Sequence, residues 1–159
     1  MSEKEMMHAI GFFEGLPIDD PNSFIDTKEE IPKAVGRDLL VKVQAVSVNP
    51  VDTKLRQTAR TSNALRVLGF DAVGEVAAVG NEVENFKVGD HVFYAGTTTR
   101  HGSNQEYQIV DERIVALAPE KLTKEEAASL PLTSLTAYEL LFDKFNIVPQ
   151  KDSAKGNQS

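Results

Sequence analysis

Residues 67–80, VLGFDAVGEVAAVG, decide how this 159-residue chain is read. Gly69 and Gly74 have the G-x-x-x-x-G spacing of a loop that cradles phosphate. Such a loop continues with Lys and then Ser or Thr, which supply a cation and a metal ligand. Here Glu75 and Val76 follow Gly74. A carboxylate in the place of the cation repels an anion. The Val- and Ala-rich run 75–79, closed by the turn signal Gly80-Asn81, reads instead as a strand whose glycines mark bends or close backbone approaches.

Outward from that strand, the first two-thirds of the chain alternate between strand patterns and turn chemistry. Strands are expected over residues 7–13, 24–28, 38–48, 73–79, 91–94, 105–110 and 113–117. The clearest is 38–48, where Leu39, Val41, Val43 and Ala45 share one face and Leu40, Lys42, Gln44 and Val46 the other. The final third changes character. Thr123 and Glu126 have capping-box spacing, so a short helix is expected from there to about Leu130, stopped by Pro131. A second helix is expected from near Thr133, with Leu135, Tyr138, Leu141, Phe142 and Phe145 at helical spacing. Pro149 ends it, and residues 150–159 read as a polar linker or frayed end. Short strands followed by two helices point to a mainly β domain, a barrel or sandwich with helical additions.

Composition sets bounds. The chain suits one domain and, at 41% apolar residues, can bury a core. No apolar run approaches a membrane span, and the start lacks the features of a signal peptide. A net charge of -7 argues against a nucleic-acid partner. With no cysteine, disulfides and thiolate zinc sites are excluded, which fits a cytoplasmic protein.

Residues 45–56, AVSVNPVDTKLR, then 68–93, LGFDAVGEVAAVGNEVENFKVGDHVF, then 101–141, HGSNQEYQIVDERIVALAPEKLTKEEAASLPLTSLTAYELL, together resemble the medium-chain dehydrogenase/reductase superfamily. The resemblance is greatest to its quinone oxidoreductase and zinc-type alcohol dehydrogenase-like branch. It implies that residues 1–149 are an incomplete N-terminal GroES-like catalytic domain, a β-barrel in which Gly69, Gly74, Gly80 and Gly89 sit at bends. Residues 150–159 then lead toward a nucleotide-binding domain. No two of the ten glycines are separated by a single residue, so no G-x-G-x-x-G is present.

The resemblance also directs attention to a metal position. In zinc-dependent members a Cys stands at the position of Asn49, a His at Phe70 and a second Cys near Leu132. None of these three residues is a competent zinc ligand, so the site reads as metal-free. Asp71 matches an acidic position beside the missing His but has no metal-binding partners. His8, His91 and His101 are scattered and read as surface residues.

Asn49 is the candidate catalytic residue, a neutral amide able to donate to a developing oxyanion, though it equally reads as the cap of a turn before Pro50. Asp52 and Arg56 read as an internal pair fixing that loop. With Asn49, Lys54 and Thr136 are the candidate cofactor-binding residues. Lys54 departs from the Tyr of many quinone oxidoreductases, and Thr136 reads equally as helix packing. Phe70 and Tyr94 are the candidate substrate-binding wall, although strand aromatics commonly belong to the core.

The implied activity is reduction of a quinone, enone or related small-molecule carbonyl by NAD(P)H, with NADPH favoured and no zinc. The full-length protein is expected to be a homodimer, and these residues alone to be inactive. The alternative is a non-enzymic GroES-like binding or scaffold module. Against it, residues 96–103 lack the apolar tip of a co-chaperonin's mobile loop, and Ile114 to Leu117 fall in a strand pattern.

Overall fold

The computed structural model describes residues 5–61 and 63–149; the expected tail at 150–159 lies outside them. Among the described residues, eight strands form two antiparallel sheets. The smaller has the order β2-β1-β4, with β1 at Met6–Phe12, β2 at Ile25–Glu30 and β4 at Arg66–Val67. The larger has the order β7-β3-β5-β6-β8: β3 is Asp38–Ser47, β5 Asp71–Val79, β6 His91–Ala95, β7 Tyr107–Asp111 and β8 Val115–Leu117. The sheets are joined where β1 meets the approach to β7. Ala9 bridges Gln105, Ile10 N–H donates to the Asn104 carbonyl, and Glu106 N–H to that of His8.

The core lies on one face of the larger sheet, where Leu39, Val41, Ala72, Val76, Val92, Tyr94 and Val110 pack together, all but excluded from solvent. Each Leu or Val side chain among them contributes roughly 1.5–3 kcal/mol relative to exposure. On the opposite face Ala127 and Ala128 of helix α2 (Lys124–Ala128) close against Val73, with Ala45 and Phe93 beside them.

The placement of Ala45 departs from strict alternation. Val43 faces Gly74 across the ladder and Ala45 faces Val73, so Gln44 is an extra residue and β3 bulges there. The bulge moves Ala45 to the face opposite Leu39, Val41 and Val43. Gly74 sits at that irregularity because a Cβ would meet the Lys42 carbonyl, and Val41 Cγ1 at 2.6 Å. A close approach, not a turn, therefore requires glycine at Gly74.

The helices differ most from expectation. The loop that an Asp52–Arg56 pair was expected to fix is instead helix α1 (Pro50–Gln57). The capping box at Thr123 and Glu126 forms in both directions, at 3.2 and 2.8 Å, but α2 ends at Ala128. Helix α3 spans Pro131–Tyr138, beginning at the proline expected to precede it, and continues as a wider π-helical turn over Glu139–Lys144. Pro is well suited to a first helical turn because its N–H has no helical partner there. Within the strand expected at 113–117, Glu112–Ile114 is a 3-10 turn and only Val115–Leu117 is strand.

Glu112 in that turn fastens three segments. Its buried carboxylate accepts from Arg37 Nη1 (2.8 Å), Glu84 N–H (3.1 Å), Asn85 N–H (3.0 Å) and Asn85 Nδ2 (3.1 Å). The Asn85 main-chain bond foremost, with those of Glu84, the Asn85 side chain and Arg37, holds its pKa below the ordinary value. This stabilisation is complete above the ordinary glutamate range and is lost as pH falls through the lowered one. Glu112→Gln is therefore expected to lower Tm at neutral pH by on the order of 5 °C. The deficit should shrink on acidification; thermal melts of both proteins across the carboxylate range check this, and a pH-independent deficit would contradict it.

Candidate functional site

The site grows from the turn between β3 and α1. Asn49 is the N-cap residue of α1, with extended backbone, Pro50 in the first helical position and Asp52 three residues on. Asn-Pro-x-Asp is itself a helix-start signal, and it could have revealed α1 from the sequence. The Asp52 carboxylate accepts from the Asn49 main-chain N–H (2.8 Å) and from Gly69 N–H (3.2 Å), tying the helix to the corner before β5. Asp52 and Arg56 are both buried but do not pair. Arg56 instead donates to the Leu16 carbonyl (2.7 Å) and lies over the Phe24 ring at 5.4 Å.

Asp71, at the start of β5, has no exposed surface. One carboxylate oxygen accepts from Asn49 Nδ2 (2.9 Å) and the other from Leu132 N–H in the first turn of α3 (2.8 Å). Its own carbonyl accepts from the Ser103 hydroxyl at 3.1 Å. Burial raises the Asp71 pKa above the ordinary carboxylate value, aided by the charge of Asp52 and opposed by the Asn49 and Leu132 bonds.

Beside this cluster lies an apolar cavity of about 670 Å³, bounded by Phe70, Phe93, Ile114, Leu130, Leu132 and Leu135 among others. Phe70 and Leu132, flanking Asp71 from two segments, join the polar cluster to the cavity wall. Asn49 is not among the lining residues. Tyr94 reaches the cavity's lining but belongs to the core: it is 2% exposed and its hydroxyl donates to Gln108 Oε1 at 2.9 Å. Burial pushes its phenol well above the ordinary range. Lys54 is exposed on α1 and Thr136 on α3, neither lining the cavity; the Thr136 hydroxyl donates to the Leu132 carbonyl at 2.9 Å. His8, His91 and His101 are exposed, and His8 contacts Asp26 at 3.1 Å.

Residues 36–120 match the alcohol dehydrogenase GroES-like domain family. The chain belongs to this family. A zinc-type alcohol dehydrogenase-like protein of Staphylococcus epidermidis is 51% identical over 94% of this chain, which spans 44% of that relative. A putative zinc-dependent alcohol dehydrogenase from Rhizobium etli superimposes with a TM-score of 0.86 at 46% identity, over 92% of this chain and 44% of its own. The quinone oxidoreductase of Coxiella burnetii gives a TM-score of 0.78 at 29% identity, over 90% and 46% respectively. The GroES-like domain therefore corresponds to less than half of these proteins, and the resemblance to the medium-chain dehydrogenase/reductase superfamily holds.

The three positions that the resemblance singles out, Asn49, Phe70 and Leu132, do gather around Asp71, but their donors do not fit zinc. Asn49 presents an amide nitrogen to Asp71, Leu132 presents its main-chain N–H to the same carboxylate, and Phe70 has no ligand atom. Asp71 offers a carboxylate beside them, but each of its oxygens already holds an N–H, and the further ligands of a tetrahedral set are not gathered with it among the described residues. Among the described residues no group of three His, Asp or Glu is placed to hold a metal ion, and no helix is long and apolar enough to cross a membrane.

Proposed function

We propose that this domain is the catalytic half of a zinc-independent, NAD(P)H-dependent oxidoreductase that reduces quinones, enones or related carbonyls, with NADPH as its preferred cofactor. The observation carrying this reading is the apolar cavity beside an Asn49–Asp71 pair that stands where zinc-dependent relatives hold metal. Apart from Arg113, whose guanidinium is paired with Asp111, the lining is largely apolar and favours a neutral, largely apolar substrate. The name of the Coxiella burnetii relative supports the quinone assignment. The nicotinamide cofactor supplies hydride when bound. This chain's residues fit its nicotinamide end only, because the cavity can take a planar ring whereas no Gly-rich dinucleotide turn occurs among the 159 residues. The whole protein is proposed to work in the cytoplasm as a homodimer.

In that setting Phe70, Leu132 and Leu135 exclude water and hold the substrate. Although Asn49 does not line the cavity, its second Nδ2 hydrogen is the candidate donor to developing oxyanion charge on a substrate group that reaches it. Lys54 and Thr136 remain candidates for cofactor contacts that form when the downstream domain is in place.

The test uses the protein extended by its downstream domain, assayed with NADPH and a panel of quinones and enones after exhaustive chelation. Activity should persist within about two-fold of the untreated enzyme, as expected if no metal stabilises the transition state. Loss on chelation with recovery on adding zinc would overturn the metal-free mechanism. Failure to reduce any quinone or enone would overturn the substrate class and favour a scaffold role.

A further inference from the structure

Asp71 carries a burden that the chemistry proposed above does not by itself explain. A fully buried carboxylate is costly unless its oxygens are bonded. Among the described residues it forms no ion pair, and its side-chain partners are neutral N–H groups. These come from the turn before α1 and from the first turn of α3, two segments far apart in sequence. Leu132 and Leu135 of α3 wall the cavity, while Asn49 begins α1.

The carboxylate also settles the orientation of Asn49. Ionised Asp71 only accepts, so the amide nitrogen of Asn49 must face it and Oδ1 must turn away. One Nδ2 hydrogen is then committed to Asp71, and the other is left with a defined direction. At the same time the second oxygen holds Leu132 N–H at the positive end of α3, where a carboxylate is favoured.

We propose that Asp71 is a positioning residue: by accepting from Asn49 and Leu132 together, it fixes the flip of the Asn49 carboxamide and seats the α3 wall of the apolar cavity. The consequence for catalysis rests on the cavity being the substrate site; the coupling itself does not. Asp52 is the charged neighbour of this cluster, and Asn49, Leu132 N–H and the Ser103 hydroxyl are the polar groups around Asp71. Protonation turns one carboxylate oxygen into a donor, which leaves one of the two N–H groups facing a donor. Asn49 Nδ2 and Leu132 N–H should therefore respond to the same titration, and burial places that titration above the range of exposed carboxylates.

Nitrogen-resolved NMR of the 159-residue chain tests the coupling without cofactor or substrate. The Asn49 side-chain amide and the Leu132 main-chain amide should shift with one common midpoint. Asp71→Asn should abolish that shared titration and speed hydrogen exchange at Leu132 roughly ten-fold or more. In the protein extended by its downstream domain, the same substitution should lower kcat roughly ten-fold while leaving the KM for NADPH little changed. Exchanging the two residues (Asn49→Asp with Asp71→Asn) should restore protection at Leu132 but not kcat, because a donor again faces an acceptor while the amide is displaced. Independent midpoints in the unsubstituted chain, a measurement that needs no variant to fold, would overturn the proposal. So would an Asp71→Asn chain with unchanged Asn49 and Leu132 signals. If the extended protein reduces no quinone or enone while the common midpoint is found, the proposed function fails and the coupling stands.

Discussion

Residues 1–159 by themselves are expected to show no saturable NADPH binding below about millimolar concentration and no quinone reduction. The adenine, ribose and pyrophosphate of a dinucleotide are held by a Gly-rich turn and a helix N-terminus, and no such turn occurs in this sequence. What remains is a small set of polar contacts. Thr136 already donates to the Leu132 carbonyl, and one Nδ2 hydrogen of Asn49 is held by Asp71. One or two further hydrogen bonds, each contributing roughly 0.5–1.5 kcal/mol net, do not offset the roughly 4–15 kcal/mol lost on immobilising a ligand. A fluorescence titration of the folded chain with NADPH reads this directly. Micromolar binding would show that the domain holds more of the cofactor than its nicotinamide end. Extending the chain through its downstream domain should bring back binding and turnover together. In that longer protein Asn49→Ala should reduce turnover more than cofactor affinity if, as proposed above, the amide serves the transition state more than the dinucleotide.

The parts of the fold that could be read from the sequence are those set by local pattern. Residues 38–48 alternate strongly enough to declare β3, and Thr123 with Glu126 announces α2 through a reciprocal cap that forms as expected. What escaped depends on contacts through space. Alternation placed Ala45 with Leu39, and a single extra residue at Gln44 reversed it. Asp52 and Arg56 stand one helical turn apart, yet Asp52 meets Gly69 and Arg56 meets Leu16, because each finds a partner from a distant loop. Helix α1 is signalled by Asn49, Pro50 and Asp52, but its eight residues carry no strong apolar periodicity to declare it. The candidate site was legible in the same uneven way. Resemblance brought Asn49, Phe70 and Leu132 to one place, and they do meet there. The residue that joins them is Asp71, whose carboxylate reads in the sequence only as an acid without metal-binding partners. Its function as an acceptor depends on a main-chain N–H sixty-one positions away, which no side-chain pattern records.

Gly69→Ala is expected to destabilise the domain by about 3 kcal/mol or more, lowering Tm by on the order of 10 °C. Two independent causes act at this position. Its φ is +109°, beyond the left-handed basin that a non-glycine residue can occupy at modest cost. In addition, a Cβ there would meet Ser103 Oγ, the Ser103 nitrogen at 2.9 Å and the Asn104 nitrogen at 3.1 Å. Ser103 is 1% exposed, and its N–H donates to the Gly69 carbonyl at 3.0 Å, so it has little room to withdraw. The corner also presents Gly69 N–H to Asp52, and a displaced corner would loosen α1 from β5 beside Asn49 and Asp71. Gly36 separates the causes. It too has positive φ, at +57°, but a Cβ there meets nothing within 4 Å. Gly36→Ala should therefore cost only about 1 kcal/mol, the backbone contribution alone. Urea unfolding of the two variants beside the unsubstituted chain gives both values. Equal losses would mean that φ alone demands glycine at Gly69, and a Gly69→Ala chain as stable as the parent would refute the crowded corner outright.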